Sequence, residues 1–293
     1  MKKVKIVTSI YSDLYGTKFG GRIGRRDHYR WSLLSLLKMT DADFVCYTSE
    51  NEYESLVEFF YTNEKISEDR LKLKVFNLDE NNSKELIKKW KNYDHVKTSD
   101  RCFEIQYMKF FWTMNELSDY EYVFWFDAGL SHCGLIPNKY LSIPSSNNNR
   151  QYYESSLFNN VFLTNLIEFS DDKFILAAKE NSRNYWSGTV DNRHFTKYNS
   201  SKHIIGGFFG GVSSLWPKII YLFTKYLYKV TEEDRRLYHE EDIMTLMFRN
   251  HEELFNILDF DTWWHENERI SGLNMEEHLL TNKSFYKILE ELN

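Results

Sequence analysis

The sequence predicts an α/β domain, a sheet flanked by helices, on three observations. Short β-branched or aromatic runs alternate with longer segments of helical period. One run, Tyr122 to Phe126, is apolar or aromatic throughout, which suits a strand buried on both faces. That run ends on Asp127, followed at once by Ala128 and Gly129. A carboxylate on a glycine-assisted turn at the carboxyl end of a buried strand is where open α/β sheets place ligand chemistry. Asp and Gly also end ordinary strands, so the turn gains weight only from its surroundings.

The elements follow in order. Val4–Ile10 is the first strand, and Asp27–Met39 a helix with an apolar face through Trp31, Leu34 and Leu37. Asp43–Thr48 is a second strand, Glu52–Tyr61 a second helix, and Leu71–Leu78 an alternating third strand. Phe103–Leu117 reads as a helix feeding the central strand. Beyond it, Ser145–Ser156 is polar enough to be a surface loop or insertion. Val161–Glu168 suits a helix, Lys173–Ala178 a strand, and Asn181–Lys197 a long loop. His203–Val212 is a strand carrying two glycine pairs, followed by helices over Ser214–Tyr228 and about Arg236–Asn250. Leu254–Phe260 is the last strand, and Met275–Leu292 has helical character. With no internal repeat, residues 1–293 read as a single domain. Residues 1–130 and 131–293 read as the two halves of that domain.

Composition removes several classes. Net charge is −6 with no long basic run, which disfavours a nucleic-acid surface. Three cysteines, Cys46, Cys102 and Cys133, lack metal-ligand spacing and fit a reduced, cytoplasmic setting. No apolar run reaches the length of a membrane span, and the opening residues are too short a stretch for a signal-peptide core. A peripheral membrane contact stays open. Aromatic residues make up 17% of the chain, more than a core needs, and their faces stack on sugars and nucleobases. An AT-rich genome explains the same excess about as well.

Five constellations carry chemistry. Asp127, with Ala128 and Gly129, is a candidate for holding a cation against a departing diphosphate. The usual device is an Asp-x-Asp pair; here Gly129 takes the third position, so one of two carboxylates is present and weak metal dependence is expected. Gly206–Gly207 and Gly210–Gly211 flank Phe208 and Phe209, which suggests a sugar lying on bare backbone beside an aromatic wall. A bulge or tight crossing is the structural alternative. Glu240, Glu241 and Asp242 open an amphipathic helix, where carboxylates either favour the helix dipole or supply a general base. His265, after Trp263 and Trp264, is a candidate second metal ligand, though a lone histidine is more often packed or solvated. The loop after the first strand holds Gly16, Gly20, Gly21 and Gly24 with Arg22, Arg25 and Arg26. It can receive a phosphate but matches neither the dinucleotide fingerprint nor the P-loop. The switch-point rule puts a ligand near Thr8, Ser9 and Tyr11, at the end of the first strand.

Taken in order, EIQYMKFFW, FDAG, GGFFGG, the EED helix start and a late histidine resemble the GT-A glycosyltransferase fold, an α/β Rossmann-like mixed sheet flanked by helices. Within it, the chain is most similar to the HtrL/YibB-like group of bacterial glycosyltransferases. The resemblance covers about residues 3–265. It implies transfer of a sugar from a nucleotide diphosphate, a UDP-sugar, to a hydroxyl on a glycan or glycolipid acceptor, with Mn²⁺ or Mg²⁺ as cofactor. It implies Asp127 as the first aspartate of the Asp-x-Asp motif, Asp242 with Glu241 as the base pair, and His265 as a metal ligand. It also puts Lys109, Gly206 and Gly207 beside the donor. Two other classes remain open: a non-catalytic carbohydrate-binding protein of the same fold, and a nucleotidyltransferase.

Overall fold

Near-continuous burial along the central strands builds the core. In the computed structural model, β4 (Tyr122–Phe126) is buried at every residue, with Phe124 and Phe126 on one face and Val123 and Trp125 on the other. Only a sheet covered on both sides accepts such a strand. The structure describes residues 3–11, 25–81, 83–90, 102–129, 141–142, 154–155, 160–180, 202–235 and 237–259.

The parallel half is made of β1 (Val4–Ile10), β2 (Asp43–Thr48) and β3 (Leu71–Val75), joined through α1 (Arg25–Met39) and α2 (Glu50–Val57). Helix α2 runs on into a π-helical turn, Glu58–Asn63. After β3 the chain passes through α3 (Lys84–Trp90) and α4 (Cys102–Met114) to β4, which pairs with β1 on the side away from β2. A two-residue pair, β5 (Leu141–Ser142) and β6 (Glu154–Ser155), stands apart from the main sheet. Then come α5 (Asn160–Ser170), β7 (Phe174–Glu180), β8 (Lys202–Val212), α6 (Trp216–Asp234), α7 (Glu240–Asn250) and β9 (Phe255–Asp259). The seven strands lie in the order β3-β2-β1-β4-β8-β7-β9. Strand β8 runs antiparallel to both β4 and β7, so the sheet is mixed.

Helices cover both faces. Leu33 and Leu37 of α1, Leu56 of α2 and Leu166 of α5 pack on Ile6, Phe44, Phe124 and Phe208. On the other face, Phe110 and Trp112 of α4, Phe223 of α6 and Ile243 of α7 pack on Val7, Val45, Trp125 and Phe209. Each fully buried side chain of this kind contributes about 1.5–3 kcal/mol. Strands Val4–Ile10, Asp43–Thr48 and Tyr122–Phe126 have the bounds their sequence predicts. The third strand stops at Val75 rather than Leu78, because Asn77 caps a short 3₁₀ turn there through Asp79 N. No described helix is long and apolar enough to cross a membrane.

Two features fix α4, which matters for the site. At its end Glu116, buried, accepts from the Tyr47 hydroxyl at 2.6 Å and pairs with Lys5 at 3.4 Å and with Lys74. From the middle of the helix the Tyr107 hydroxyl donates to Tyr238 O at 2.6 Å. The helix is thus tied to the sheet just past its end and to the α6–α7 connection at its middle.

Candidate active site around Asp127

The chain reverses its strand order between β1 and β4: β2 and β3 lie on one side of β1, and β4 on the other. Open sheets bind ligands outside the carboxyl ends of strands at such a switch point. Asp127 is the first residue past β4, at that end. Its backbone N–H donates to Gly207 O at 2.8 Å, which ties the corner to β8. Its side chain accepts from Trp125 Nε1 at 2.7 Å through Oδ1.

The same oxygen lies 3.0 Å from Lys109 Nζ. Lys109 comes up from α4, within a segment where it is the sole charge between Ile105 and Met114. Its ammonium also donates to Glu240 Oε1 at 2.7 Å and to Gly206 O at 3.0 Å. Burial alone would push the lysine down, but the Asp127 and Glu240 carboxylates outweigh it and hold the ammonium well above the ordinary lysine range. Burial pushes the Glu240 carboxyl up, against the pull of Lys109. Glu240 Oε2 is buried and carries no hydrogen bond.

Two glycines are demanded by close approach. A Cβ on Gly206 would fall on the Glu240 carboxyl, 2.8 Å from its Cδ. A Cβ on Gly129 would fall into the Tyr29 ring, 2.5 Å from Cδ1. The third position of the Asp127 turn is therefore closed to any side chain while Tyr29 keeps its place. The same contact brings α1 against the turn, so the helix begins one turn away from it, at Arg25.

The remaining expected residues divide. Glu241 Oε1 accepts from Gly206 N at 2.9 Å, so it braces the glycine strand. Asp242 Oδ2 accepts from His239 N at 3.2 Å, half of a capping box at the start of α7. Ala128 is buried at the corner. Thr8 is buried with no partner for Oγ1, Ser9 is half-buried, and Tyr11 is buried with its hydroxyl donating to Phe76 O at 2.9 Å. Arg22 and His265 lie outside the described residues, as do the expected loop over Asn181–Lys197 and the helix over Met275–Leu292.

One expectation is corrected outright. Phe208 and Phe209 form no aromatic wall: both are fully buried, and they enter opposite faces of the sheet. Successive strand residues must point to opposite faces, and here both faces are core. The second glycine pair is also structural. Gly210 has φ 151°, and a Cβ there would come within 2.5 Å of Val123 O on β4.

A divalent ion does not fit the described donors. Asp127 Oδ1 is already engaged by an ammonium and an indole N–H, the Gly129 position holds no ligand, and Glu240 is committed to Lys109. Among the described residues no group of three or more His, Cys, Asp or Glu could hold a metal. Glu240 is the site residue that sequence reasoning passed over in favour of its two neighbours. No signal in EED distinguishes which carboxylate turns inward.

No family model and no curated protein matches the chain. The crystal structure of mouse xyloside xylosyltransferase 1, apo form, is similar at a TM-score of 0.51 and 12% identity, covering 92% of this chain and 91% of that one. A 4-diphosphocytidyl-2C-methyl-D-erythritol synthase from Anaerococcus prevotii DSM 20548 aligns at a TM-score of 0.44 and 10% identity, over 96% of this chain and 95% of that one. The chain has a GT-A-like fold: a mixed central sheet flanked by helices.

Proposed function

We propose that the protein is a glycosyltransferase that moves a sugar from a nucleotide diphosphate, a UDP-sugar, to a hydroxyl of a glycan or glycolipid. The observation that carries this reading is Asp127, held by Lys109 at the switch point of a GT-A-like sheet. The diphosphate lies at the Asp127 turn, next to the first turns of α1, whose Tyr29 meets that turn. The acceptor oxygen gives its proton to a carboxylate and attacks the anomeric carbon. The bond from that carbon to the diphosphate breaks, and the nucleoside diphosphate leaves with the electron pair. Asp242, or its neighbour Glu241, is the proposed base.

The proposed placement in the HtrL/YibB-like group rests on the order EIQYMKFFW, FDAG, GGFFGG, the EED helix start and a late histidine. A cytoplasmic location rests on the cysteine usage and remains part of this proposal. Calorimetry with UDP, CDP, GDP and ADP tests the donor assignment. UDP should bind; no heat with any nucleoside diphosphate would sink it. Binding without turnover of any nucleotide sugar would assign the non-catalytic, carbohydrate-binding reading instead. Cleavage of a nucleoside triphosphate to diphosphate-linked product would assign a nucleotidyltransferase.

A further inference from the structure

We infer that Lys109 is the resident cation of this site, so that a nucleoside diphosphate binds at the Asp127 turn without a divalent metal. The inference rests on the nucleotide-sugar reading for its ligand, but its geometry stands independently.

An ammonium has three donors. Those of Lys109 meet three acceptors: Asp127 Oδ1 at 3.0 Å, Glu240 Oε1 at 2.7 Å and Gly206 O at 3.0 Å. The acceptors come from the end of β4, the start of α7 and the middle of β8, the three elements that meet at this corner. A metal ion bridging the same elements would use the same oxygens. The lysine side chain is 7% exposed and that of Asp127 28%, so the ammonium neutralises the carboxylate from beneath while the carboxylate faces outward. An anion approaching the turn therefore meets an aspartate whose charge is partly offset by an ammonium it shares with Glu240, and low surrounding dielectric strengthens that offset. Lys109 acts here through Asp127 and is a positioning residue.

Two further observations agree. The absent second aspartate is not a vacancy, since the Tyr29 ring fills the space a side chain on Gly129 would need. Glu240 Oε2 is buried without a hydrogen bond, an acceptor that the single ammonium cannot reach in addition to its other three. Removal of the ammonium would leave Asp127 Oδ1, Glu240 Oε1 and Gly206 O converging on one space. That is a set of hard oxygen donors of the kind Mn²⁺ or Mg²⁺ takes.

The test uses the full-length chain and Mn²⁺ alone, followed by electron paramagnetic resonance, with UDP calorimetry as a second arm. Wild type should bind Mn²⁺ no better than Asp127→Asn, and its UDP affinity should agree within about twofold in EDTA and in Mn²⁺. Lys109→Ala should gain Mn²⁺ affinity by about tenfold or more. Wild-type Mn²⁺ binding that Asp127→Asn abolishes would overturn the inference. So would UDP affinity that falls about tenfold or more in EDTA, or a folded Lys109→Ala that gains nothing. If Lys109→Ala does not fold, as circular dichroism would report, the wild-type arms decide by themselves. If UDP binds under neither condition, the donor reading fails while the Mn²⁺ arm still decides the role of Lys109.

Discussion

Lys109 Nζ and Asp127 Oδ1 lie 3.0 Å apart, one on a buried face of α4 and the other on the turn after β4. The contact joins the helix that enters the central strand to the residue that ends it. It accounts for a lone charge inside an otherwise uncharged run, Ile105 to Met114. A charge buried this deeply persists only when it is paired and its donors are filled.

Breaking that pairing should be costly. Lys109→Met leaves Glu240 buried without its partner, and loss of one member of a buried pair costs about 3–5 kcal/mol. Urea denaturation should show it as a lower midpoint. Lys109→Arg should rescue little, since a planar guanidinium cannot place three donors where the ammonium does. A Lys109→Met variant as stable as wild type would mean that the pair contributes nothing.

Gly129→Asp, the change that would complete an Asp-x-Asp motif, should not create a metal site. Its Cβ meets the Tyr29 ring, so the variant should lose about 1–3 kcal/mol from overpacking. Adding Tyr29→Ala should recover part of that loss, and a double-mutant cycle would read a coupling of about 0.5 kcal/mol or more. Thermal melts of the four proteins measure it, and additive effects would place Tyr29 away from the turn.

In β8 the two glycine pairs should respond differently. Gly210→Ala strains a residue at φ 151° and presses on Val123 O, so a stability loss of about 1–3 kcal/mol is expected with no specific effect on ligand. Gly206→Ala pushes Glu240 off Lys109 and should lower both stability and UDP affinity. Equal effects on UDP affinity from the two variants, once stability is allowed for, would remove Gly206 from the site.

Asp242 carries two separable roles. As a cap accepting from His239 N it contributes about 1 kcal/mol to α7. As a general base it would contribute about a hundredfold or more to turnover. Asp242→Asn should lower turnover by that factor with donor binding intact. A variant that melts slightly lower but turns over normally leaves only the cap.

Local pattern made much of the fold readable. The uninterrupted run Tyr122–Phe126 and the β-branched stretches at Val4–Ile10 and Asp43–Thr48 leave little freedom in strand bounds. Helix α3, Lys84–Trp90, escaped because seven residues are too few to display a helical period. Phe208 and Phe209 misled because two adjacent aromatics between glycines look the same whether a sheet is covered on one face or both. The Asp127 corner was legible from its strand and turn. The resemblance puts Lys109 beside the donor, but its pairing was not legible: Lys109 and Glu240 are 131 residues apart in sequence, on α4 and α7, two helices packed on the same face of the sheet.

The proposed glycosyltransferase activity puts Asp127 at the reacting end of a nucleotide-sugar site. The direct measurement is release of free sugar from a panel of nucleotide sugars, with water as acceptor, by wild type and by Asp127→Ala. Wild type should hydrolyse a UDP-sugar, and the rate should fall by about a hundredfold in the variant, the scale expected when electrostatic support of a leaving group is lost. No hydrolysis of any panel member by wild type, or an Asp127→Ala rate equal to wild type, would contradict it.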